Sequence, residues 1–198
     1  WGTPNMIAVH ENWLSDFDIG QIWGETVCRP NWQFGFKSHE SAETYAWCQQ
    51  YYKRTPPHGF EYISVGGFKS IVMPNLGKHF IDLVGDDYVL IKNIVTGRTV
   101  FQDSGLHNDW QAADESITGI FYLNRSWEDS FGGETIINTA DNSEISKVVA
   151  GNLITFDSVN QYNEKGPEIG CTEMRCTVLL QAVRNDAWQR LVDNRTKE

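Results

Sequence analysis

The stretch QDSGLHND, residues 102–109, ends in a His-x-Asp pair. Side chains of an extended segment repeat every two residues, so the His107 imidazole and the Asp109 carboxylate would point to the same face. An imidazole and a carboxylate are two of the three ligands in the two-histidine, one-carboxylate triad that holds non-haem Fe(II). The stretch therefore predicts a metal site with His107 and Asp109 as ligands.

A second pair with the same spacing lies further along the chain. Arg175 and Thr177 open the run RCTVLLQA, residues 175–182. In a strand their guanidinium and hydroxyl groups would point to one place, as the binding of a dicarboxylate requires. No histidine follows His107 in the sequence, however. The usual third ligand of the triad is therefore missing.

The composition is that of an ordinary folded protein. The chain has 198 residues, of which 40% are hydrophobic and 21% charged, and this length fits one domain with a well-buried core. Eight Trp, seven Tyr and ten Phe favour a β-rich fold built from bulky side chains. The balance of 26 acidic against 16 basic residues gives a formal net charge of −10, which repels phosphate backbones. We therefore expect no nucleic-acid partner.

Other sequence signals bear on location. No run of roughly 18 apolar residues occurs, so we expect no membrane span. No secretory signal is visible, although the chain begins with Trp1 rather than Met. The four cysteines form no C-x-x-C pair and are expected to be reduced thiols of a cytoplasmic protein.

Residues 1–87 mix helix and strand signals, and we expect them to support the remainder of the chain. Ser15 is a candidate N-cap, and Leu76, Phe80 and Val84 recur at helical spacing before Gly85. The predicted elements are strands at residues 6–10 and 32–36 and helices at residues 16–27, 43–53 and 73–84.

From residue 88 the pattern changes to short apolar or alternating runs separated by turn signals. Strands are predicted at residues 88–95, 117–123, 135–138, 145–149, 153–156 and 175–182. The pattern predicts a mostly β fold with flanking α-helices, in the form of an antiparallel sandwich or jelly roll over residues 88–183. Residues 184–198 are expected to form a short helix and a polar tail, so that residues 1–198 make one domain.

An ordered series of motifs carries a family resemblance over roughly residues 90–182, about half of the chain. Each motif alone is loose, but the order and spacing of the series are specific. The series resembles the Fe(II)/2-oxoglutarate-dependent oxygenases of the prolyl 4-hydroxylase-like type, particularly the short versions of bacteria and bacteriophages. Its members are QDSGLHND at 102–109, IFYLN at 120–124, Trp127, GGET at 132–135, GNLITFD at 151–157 and RCT at 175–177.

The resemblance implies a double-stranded β-helix core and a set of roles. It implies that His107 and Asp109 bind Fe(II), and that Arg175 and Thr177 bind the distal carboxylate of 2-oxoglutarate, with Tyr122 as a further contact. O2 would be the second cosubstrate, and the resemblance also admits ascorbate as a reductant. If the gene belongs to a bacteriophage, the cytoplasm would be that of its bacterial host.

The sequence departs from the family at the distal histidine. That residue usually follows the strand of the Phe156 type and precedes the arginine by about 10 to 13 positions. The matching position here is Tyr162, or Asn163 after a shift by one residue. A phenolate ligand would favour ferric iron, whereas an asparagine amide would be a weak neutral donor. In a third alternative neither residue binds, and His107 and Asp109 hold the metal with additional water. Catalysis is therefore more in question than fold.

Two functions remain open at this point. The first is a dioxygenase that hydroxylates a peptidyl or amino-acid-like C–H bond and releases succinate and CO2. The second is a catalytically degenerate jelly-roll module that acts as a binding or structural domain. The candidate substrate contacts are only positional and comprise Trp110, Trp127 and residues 160–164.

Overall fold

The computed structural model describes residues 7–37, 39, 42, 44–54, 60–62, 70–113 and 115–195. The helices are α1 (Asp16–Glu25), α2 (Val72–Val84) and α3 (Asn185–Arg195), with a 3-10 turn at Asp129–Phe131. The strands are β1 (Ala8–His10), β2 (Gln33–Phe36), β3 (Ala46–Arg54), β4 (Phe60–Tyr62), β5 (Tyr88–Arg98), β6 (Ser116–Tyr122), β7 (Thr135–Asn138), β8 (Ser143–Ser146), β9 (Leu153–Asp157), β10 (Gln161–Glu164) and β11 (Arg175–Arg184).

The three helices follow the sequence signals. Ser15 caps α1, since its hydroxyl oxygen accepts a hydrogen bond from the backbone N–H of Asp18 at 3.2 Å. α2 buries Leu76, Phe80 and Val84 and stops at Gly85, whose φ of +118° few other residues adopt. In the described part of the chain, no helix is both long and apolar enough to cross a membrane.

The carboxylate of Glu25, the last residue of α1, caps the start of α2. It accepts hydrogen bonds from the Ser70 hydroxyl at 2.7 Å and from the backbone N–H groups of Ile71 and Val72 at 3.1 and 3.2 Å. A helix N-terminus carries free N–H groups and partial positive charge, so an anion stabilises it. The cap ties α1 to α2 on the outer side of the large sheet.

The helix predicted at residues 43–53 is wrong, because Ala46–Arg54 form β3; residue 43 lies outside the described residues. β3 pairs with β5 along one edge, for example Gln49 with Val95, and with β2 along the other. The segment lacks helix breakers, but Trp47 and Tyr51 suit a pleated surface, and sheet pairing overrides a weak local preference. The strand predicted at residues 145–149 is also shifted, since β8 ends at Ser146. Residue 6 of the predicted first strand lies outside the described residues.

Two antiparallel sheets form the core of the fold, and the mostly β prediction is confirmed. The larger sheet has the strand order β1-β9-β6-β11-β5-β3-β2, with β4 beside β3, and the smaller has the order β10-β7-β8. An apolar cluster joins the two sheets. It contains Ile120, Tyr122, Ile154, Phe156 and Leu179 of the larger sheet and Ile137 and Tyr162 of the smaller.

The central strand β11 shows how the large sheet divides its side chains. Cys176, Val178 and Leu180 pack in the cluster that includes α1 and α2. The alternate residues point the other way, so Arg175 and Thr177 lie between the sheets, both fully buried. The pleat therefore places the residues of the RCT motif that carry chemistry against β10 and β7.

Candidate metal and cosubstrate site

The segment that contains His107 runs antiparallel beside β10. The backbone N–H of Ser104 donates to the Glu164 carbonyl at 2.8 Å, and the N–H of His107 donates to the Tyr162 carbonyl at 3.1 Å. The N–H of Tyr162 donates in return to the His107 carbonyl at 2.7 Å. His107 and Tyr162 are therefore direct cross-strand neighbours, and the structure brings the preferred third-ligand candidate to the His-x-Asp pair.

Three donors surround the Asp109 carboxylate, which is 3% exposed. Lys92 Nζ lies 3.0 Å from Oδ1, and the hydroxyls of Thr118 and Tyr162 each donate to Oδ2 at 3.0 Å. Burial opposes ionisation of this carboxyl, but the positive charge of Lys92 and the hydrogen bonds bring its pKa below the ordinary value. Asp109 is thus a buried anion whose counter-ion is the Lys92 ammonium.

His107 is a buried, neutral imidazole in this arrangement. Its Nδ1 lies 3.0 Å from the Gly105 carbonyl, which requires a proton on that nitrogen and leaves the lone pair on Nε2. The ring stacks on His39 at 4.9 Å and contacts the Tyr162 ring at 4.4 Å between centroids. Burial lowers the pKa of His107 below its ordinary value, which favours the neutral ring.

Tyr162 is a neutral phenol held against Asp109. Burial and the nearby negative charges of Asp109 and Glu164 raise its pKa well above the usual value for tyrosine. In this arrangement Tyr162 is therefore protonated at neutral pH and acts as a hydrogen-bond donor to Asp109. Asn163 lies on the opposite face of β10, where its side-chain oxygen accepts a hydrogen bond from the Ser104 hydroxyl at 3.1 Å. The structure does not bring Asn163 to Asp109.

Arg175 uses its guanidinium within the protein. Its Nε donates to the Gly133 carbonyl at 2.6 Å, its Nη2 to the Thr135 hydroxyl at 2.9 Å, and its Nη1 to Glu164 Oε1 at 2.9 Å. Glu164 belongs to β10, two residues after Tyr162, and so shares its inward face. The arginine assigned to the cosubstrate is thus bound to a carboxylate of the chain itself.

The same carboxylate takes the other donors of the pocket. The Thr177 hydroxyl donates to Glu164 Oε1 at 3.2 Å, and Arg98 Nη2 donates to Oε2 at 3.2 Å. Burial alone would raise the pKa of Glu164, but the charges of Arg98 and Arg175 outweigh it and bring the pKa down to about 2. Glu164 is therefore ionised at neutral pH and occupies the predicted carboxylate site.

Sequence reasoning missed the roles of Glu164, Arg98 and Lys92. One signal was available for Glu164, because it follows Tyr162 at the spacing that puts two strand residues on one face. Arg98 and Lys92 gave no such signal. They reach the site only because β5 pairs with β11 in the folded sheet.

The remaining candidates lie at different distances from this centre. The Tyr122 hydroxyl donates to Thr135 at 2.8 Å, and Arg175 Cζ lies 5.5 Å from the centre of its ring, so Tyr122 lines the arginine pocket. Trp110 packs with Ala187 and Trp188 of α3, and its role as a substrate contact stays a prediction.

Trp127 lies at the arginine end of the site. Its indole N–H donates to the Gly132 carbonyl at 2.8 Å. A side chain at Gly133 would meet Trp127 Cζ2 at 3.0 Å and Arg175 Cδ at 3.1 Å. Trp127 therefore lies beside the arginine pocket, and its role as a substrate contact stays a prediction.

The residues present do not fit the cofactors that the sequence resemblance implies. A divalent ion at Asp109 would meet the Lys92 ammonium and the hydroxyl protons of Thr118 and Tyr162. Within the described residues, no group of three or more His, Cys, Asp or Glu side chains is placed to hold a metal ion. A free dicarboxylate would have to displace Glu164 from two buried arginines.

Comparisons with known proteins locate the fold. No protein-family model matches the sequence, and no curated protein matches it either. Among solved structures, a 2OG-Fe(II) oxygenase family oxidoreductase from Burkholderia pseudomallei has a TM-score of 0.69 at 11% identity, with 92% of this chain and 86% of that chain covered.

Two prolyl hydroxylases are similar to a comparable degree. The enzyme from Trichoplax adhaerens, solved with a hypoxia-inducible factor peptide, has a TM-score of 0.67 at 14% identity over 91% of this chain and 84% of that one. The prolyl-4-hydroxylase from Pseudomonas putida has a TM-score of 0.64 at 15% identity, with 91% and 94% covered. Identities this low establish fold alone. The chain therefore has the jelly-roll fold of the 2-oxoglutarate- and Fe(II)-dependent oxygenases, as the motif series predicted.

Proposed function

We propose that the protein is a catalytically silent module with the oxygenase fold, which serves as a binding or structural domain. The observation that carries the proposal is the state of Asp109. Its carboxylate binds the Lys92 ammonium and accepts a hydrogen bond from the Tyr162 hydroxyl, whereas a metal centre would need the Asp109 oxygen and the His107 nitrogen to be free.

The negative charge of Asp109 is balanced by groups of the protein without a metal ion. A buried carboxylate has to be paired with a cation or with several donors, and Asp109 has both. A metal ion would need to displace Lys92 and break the Tyr162 hydrogen bond, and among the described His, Cys, Asp and Glu side chains no third ligand is placed to join Asp109 and His107. The Tyr162 hydroxyl is committed to Asp109 as a hydrogen-bond donor, and the negative charges of Asp109 and Glu164 oppose the loss of its proton.

The cosubstrate pocket supports the same conclusion. Arg175 and Thr177 both donate to the Glu164 carboxylate, so their binding capacity is already used. Loss of a free metal position and loss of a free cosubstrate position are separate changes. Because the metal position and the cosubstrate position are both occupied by groups of the chain, a role other than oxygenation is favoured.

One observation favours the second candidate, an active dioxygenase acting on a peptidyl or amino-acid-like substrate. The Gly105 carbonyl fixes the His107 ring so that Nε2 keeps its lone pair, as a metal-binding histidine requires. This candidate would require Fe(II), 2-oxoglutarate and O2, with release of succinate and CO2. It would also require Lys92 and Glu164 to leave their present partners.

Anaerobic titration with Fe(II) and then 2-oxoglutarate, followed by visible absorption, separates the two candidates. Chelation of a keto acid by Fe(II) produces a weak charge-transfer band only when both bind at one centre. We expect no band in the wild-type protein and no succinate after addition of air. A band in the wild type would overturn the proposal and support the dioxygenase.

A matched variant keeps the titration interpretable. The triple substitution Lys92→Met, Tyr162→His and Glu164→Gly removes the ammonium from Asp109, supplies an imidazole at the third position and vacates the arginine pocket. We expect this variant, if circular dichroism shows it folded, to gain the band at high Fe(II) and 2-oxoglutarate concentration. A folded triple variant as silent as the wild type would count against Lys92, Tyr162 and Glu164 as the residues responsible.

A further inference from the structure

A cluster of buried charges lies between the sheets at the arginine end of the site. Arg175 is 0% exposed, Arg98 1% and Glu164 2%, so all three charges are removed from water. Two guanidinium groups and the Thr177 hydroxyl converge on one carboxylate. This geometry is that of a carboxylate-binding site, with several charge-assisted donors aimed at both oxygens.

The backbone on both sides of Glu164 holds its carboxylate in place. β10 pairs with β7, where Glu164 lies opposite Thr135, and on the other edge the Glu164 N–H donates to the Ser104 hydroxyl at 2.8 Å. A group attached to a fixed strand has a high effective concentration at the site that it reaches. A carboxylate from solution would therefore not compete with Glu164 in the intact protein.

We propose that Arg98, Arg175 and Thr177 form a latent binding site for a small carboxylate, which the chain occupies with its own Glu164. The inference extends the proposed function and rests on it, since it takes the pocket to be free of 2-oxoglutarate. It assigns the ligand class by chemistry: an anion with one carboxylate and about the volume of acetate.

The size limit follows from the atoms involved. Replacement of Glu164 by alanine removes one methylene and the carboxylate, which together correspond to acetate. The vacated space remains enclosed, because Trp127 covers the Gly133 side and the Tyr122 ring stacks near the Arg175 guanidinium. In the metal-free Glu164→Ala variant, where no metal ion binds the far end of a longer anion, acetate should therefore bind better than succinate or 2-oxoglutarate.

Chemical rescue of Glu164→Ala by sodium acetate tests this inference. The midpoint of thermal unfolding is measured at rising acetate concentration, with sodium chloride at matched ionic strength as the reference. We expect a saturable rise of about 5 °C at the highest acetate concentration, since a ligand that binds only the folded state raises the midpoint. Formate and succinate should produce smaller rises.

Two matched proteins complete the experiment. The wild type and Glu164→Gln both keep the space filled, so neither should respond to acetate differently from chloride. Equal midpoints of Glu164→Ala in acetate and chloride would overturn the inference. If the alanine variant is insoluble, its refolding yield from urea is compared in the two salts, and equal yields, including zero in both, would overturn it as well.

The readout separates this inference from the proposed function. Acetate is not a keto acid and the assay contains no metal, so the result depends on the arginine pocket alone. A failed rescue would leave the outcome of the Fe(II) titration unaffected, and a charge-transfer band in the wild type would not by itself alter the acetate result.

Discussion

At the scale of single residues, two buried carboxylates define this site, and each has an internal cation. Asp109 pairs with Lys92 at 3.0 Å, and Glu164 pairs with Arg175 at 2.9 Å and Arg98 at 3.2 Å. A buried ion pair adds little net stability compared with an apolar core, but removal of one partner leaves an uncompensated charge. Each pair is therefore sensitive to substitution at either end.

The ionisation of Glu164 predicts acid sensitivity. Its pKa falls from an ordinary 4.5 to about 2 in the folded protein. A carboxyl with a depressed folded pKa contributes stability above its unfolded pKa and loses that stability as pH falls from 4.5 towards 2. The shift corresponds to about 3 kcal/mol. Urea unfolding at pH 7 and pH 3 should show a larger loss for the wild type than for Glu164→Gln, and parallel pH profiles would contradict the assignment.

The Lys92–Asp109 pair predicts an order of effects. Lys92→Met leaves the buried Asp109 without its cation and should lower the free energy of unfolding by about 2–3 kcal/mol, because Lys92 is partly exposed and the full cost of a buried pair is not reached. Tyr162→Phe removes one hydrogen bond and should cost about 1 kcal/mol. Urea denaturation measures both, and a larger loss for Tyr162→Phe would show that Lys92 is not the main counter-ion.

At the scale of elements, the helices and most strands of the second half follow from local patterns, but β3 does not. Ser15 and the Leu76, Phe80 and Val84 spacing mark α1 and α2 because capping and helical periodicity are local. β3 is held by pairing with β5, which lies about forty residues further along the chain. The local sequence of residues 43–53 does not indicate this pairing, and the helix predicted there was therefore wrong.

The cap of α2 by Glu25 gives a test of how the helices hold together. Glu25→Ala removes the acceptor for two backbone N–H groups and the Ser70 hydroxyl. We expect the free energy of unfolding to fall by about 1–2 kcal/mol, the range of a lost N-cap. Glu11→Ala, an exposed carboxylate of the same type, serves as the control in the same urea titration. Equal effects in the two variants would mean that the cap contributes nothing specific.

At the scale of the whole molecule, β11 organises the fold. It pairs with β5 along one edge and β6 along the other, and it is buried over nine of its ten residues. One face supports α1 and α2, and the other carries the arginine pocket. Loss of β11 pairing would therefore disrupt the helix contacts and the site together.

This central position predicts a gradient of hydrogen exchange. Amides of β11 and β6 should exchange last, by global unfolding. Amides of β2 and β8, each of which pairs with one strand among the described residues, should exchange early through local opening. Hydrogen–deuterium exchange followed by mass spectrometry measures the order. Protection of β8 equal to that of β11 would show that its free edge is covered by a partner, which the proposed binding role would then explain.

The sequence by itself determined the fold class, the His107-x-Asp109 pair and the Arg175-x-Thr177 pair, because strand periodicity sets which side chains share a face. Only the tertiary structure decided what those side chains contact. Lys92 and Glu164 reach them through sheet pairing and the stacking of two sheets, with sequence separations of 17 and 11 residues. Local periodicity encodes the direction of a side chain, but its partner depends on which strands meet. The motifs therefore predicted an oxygenase site, whereas in the folded protein Asp109 is paired with Lys92 and Arg175 is paired with Glu164.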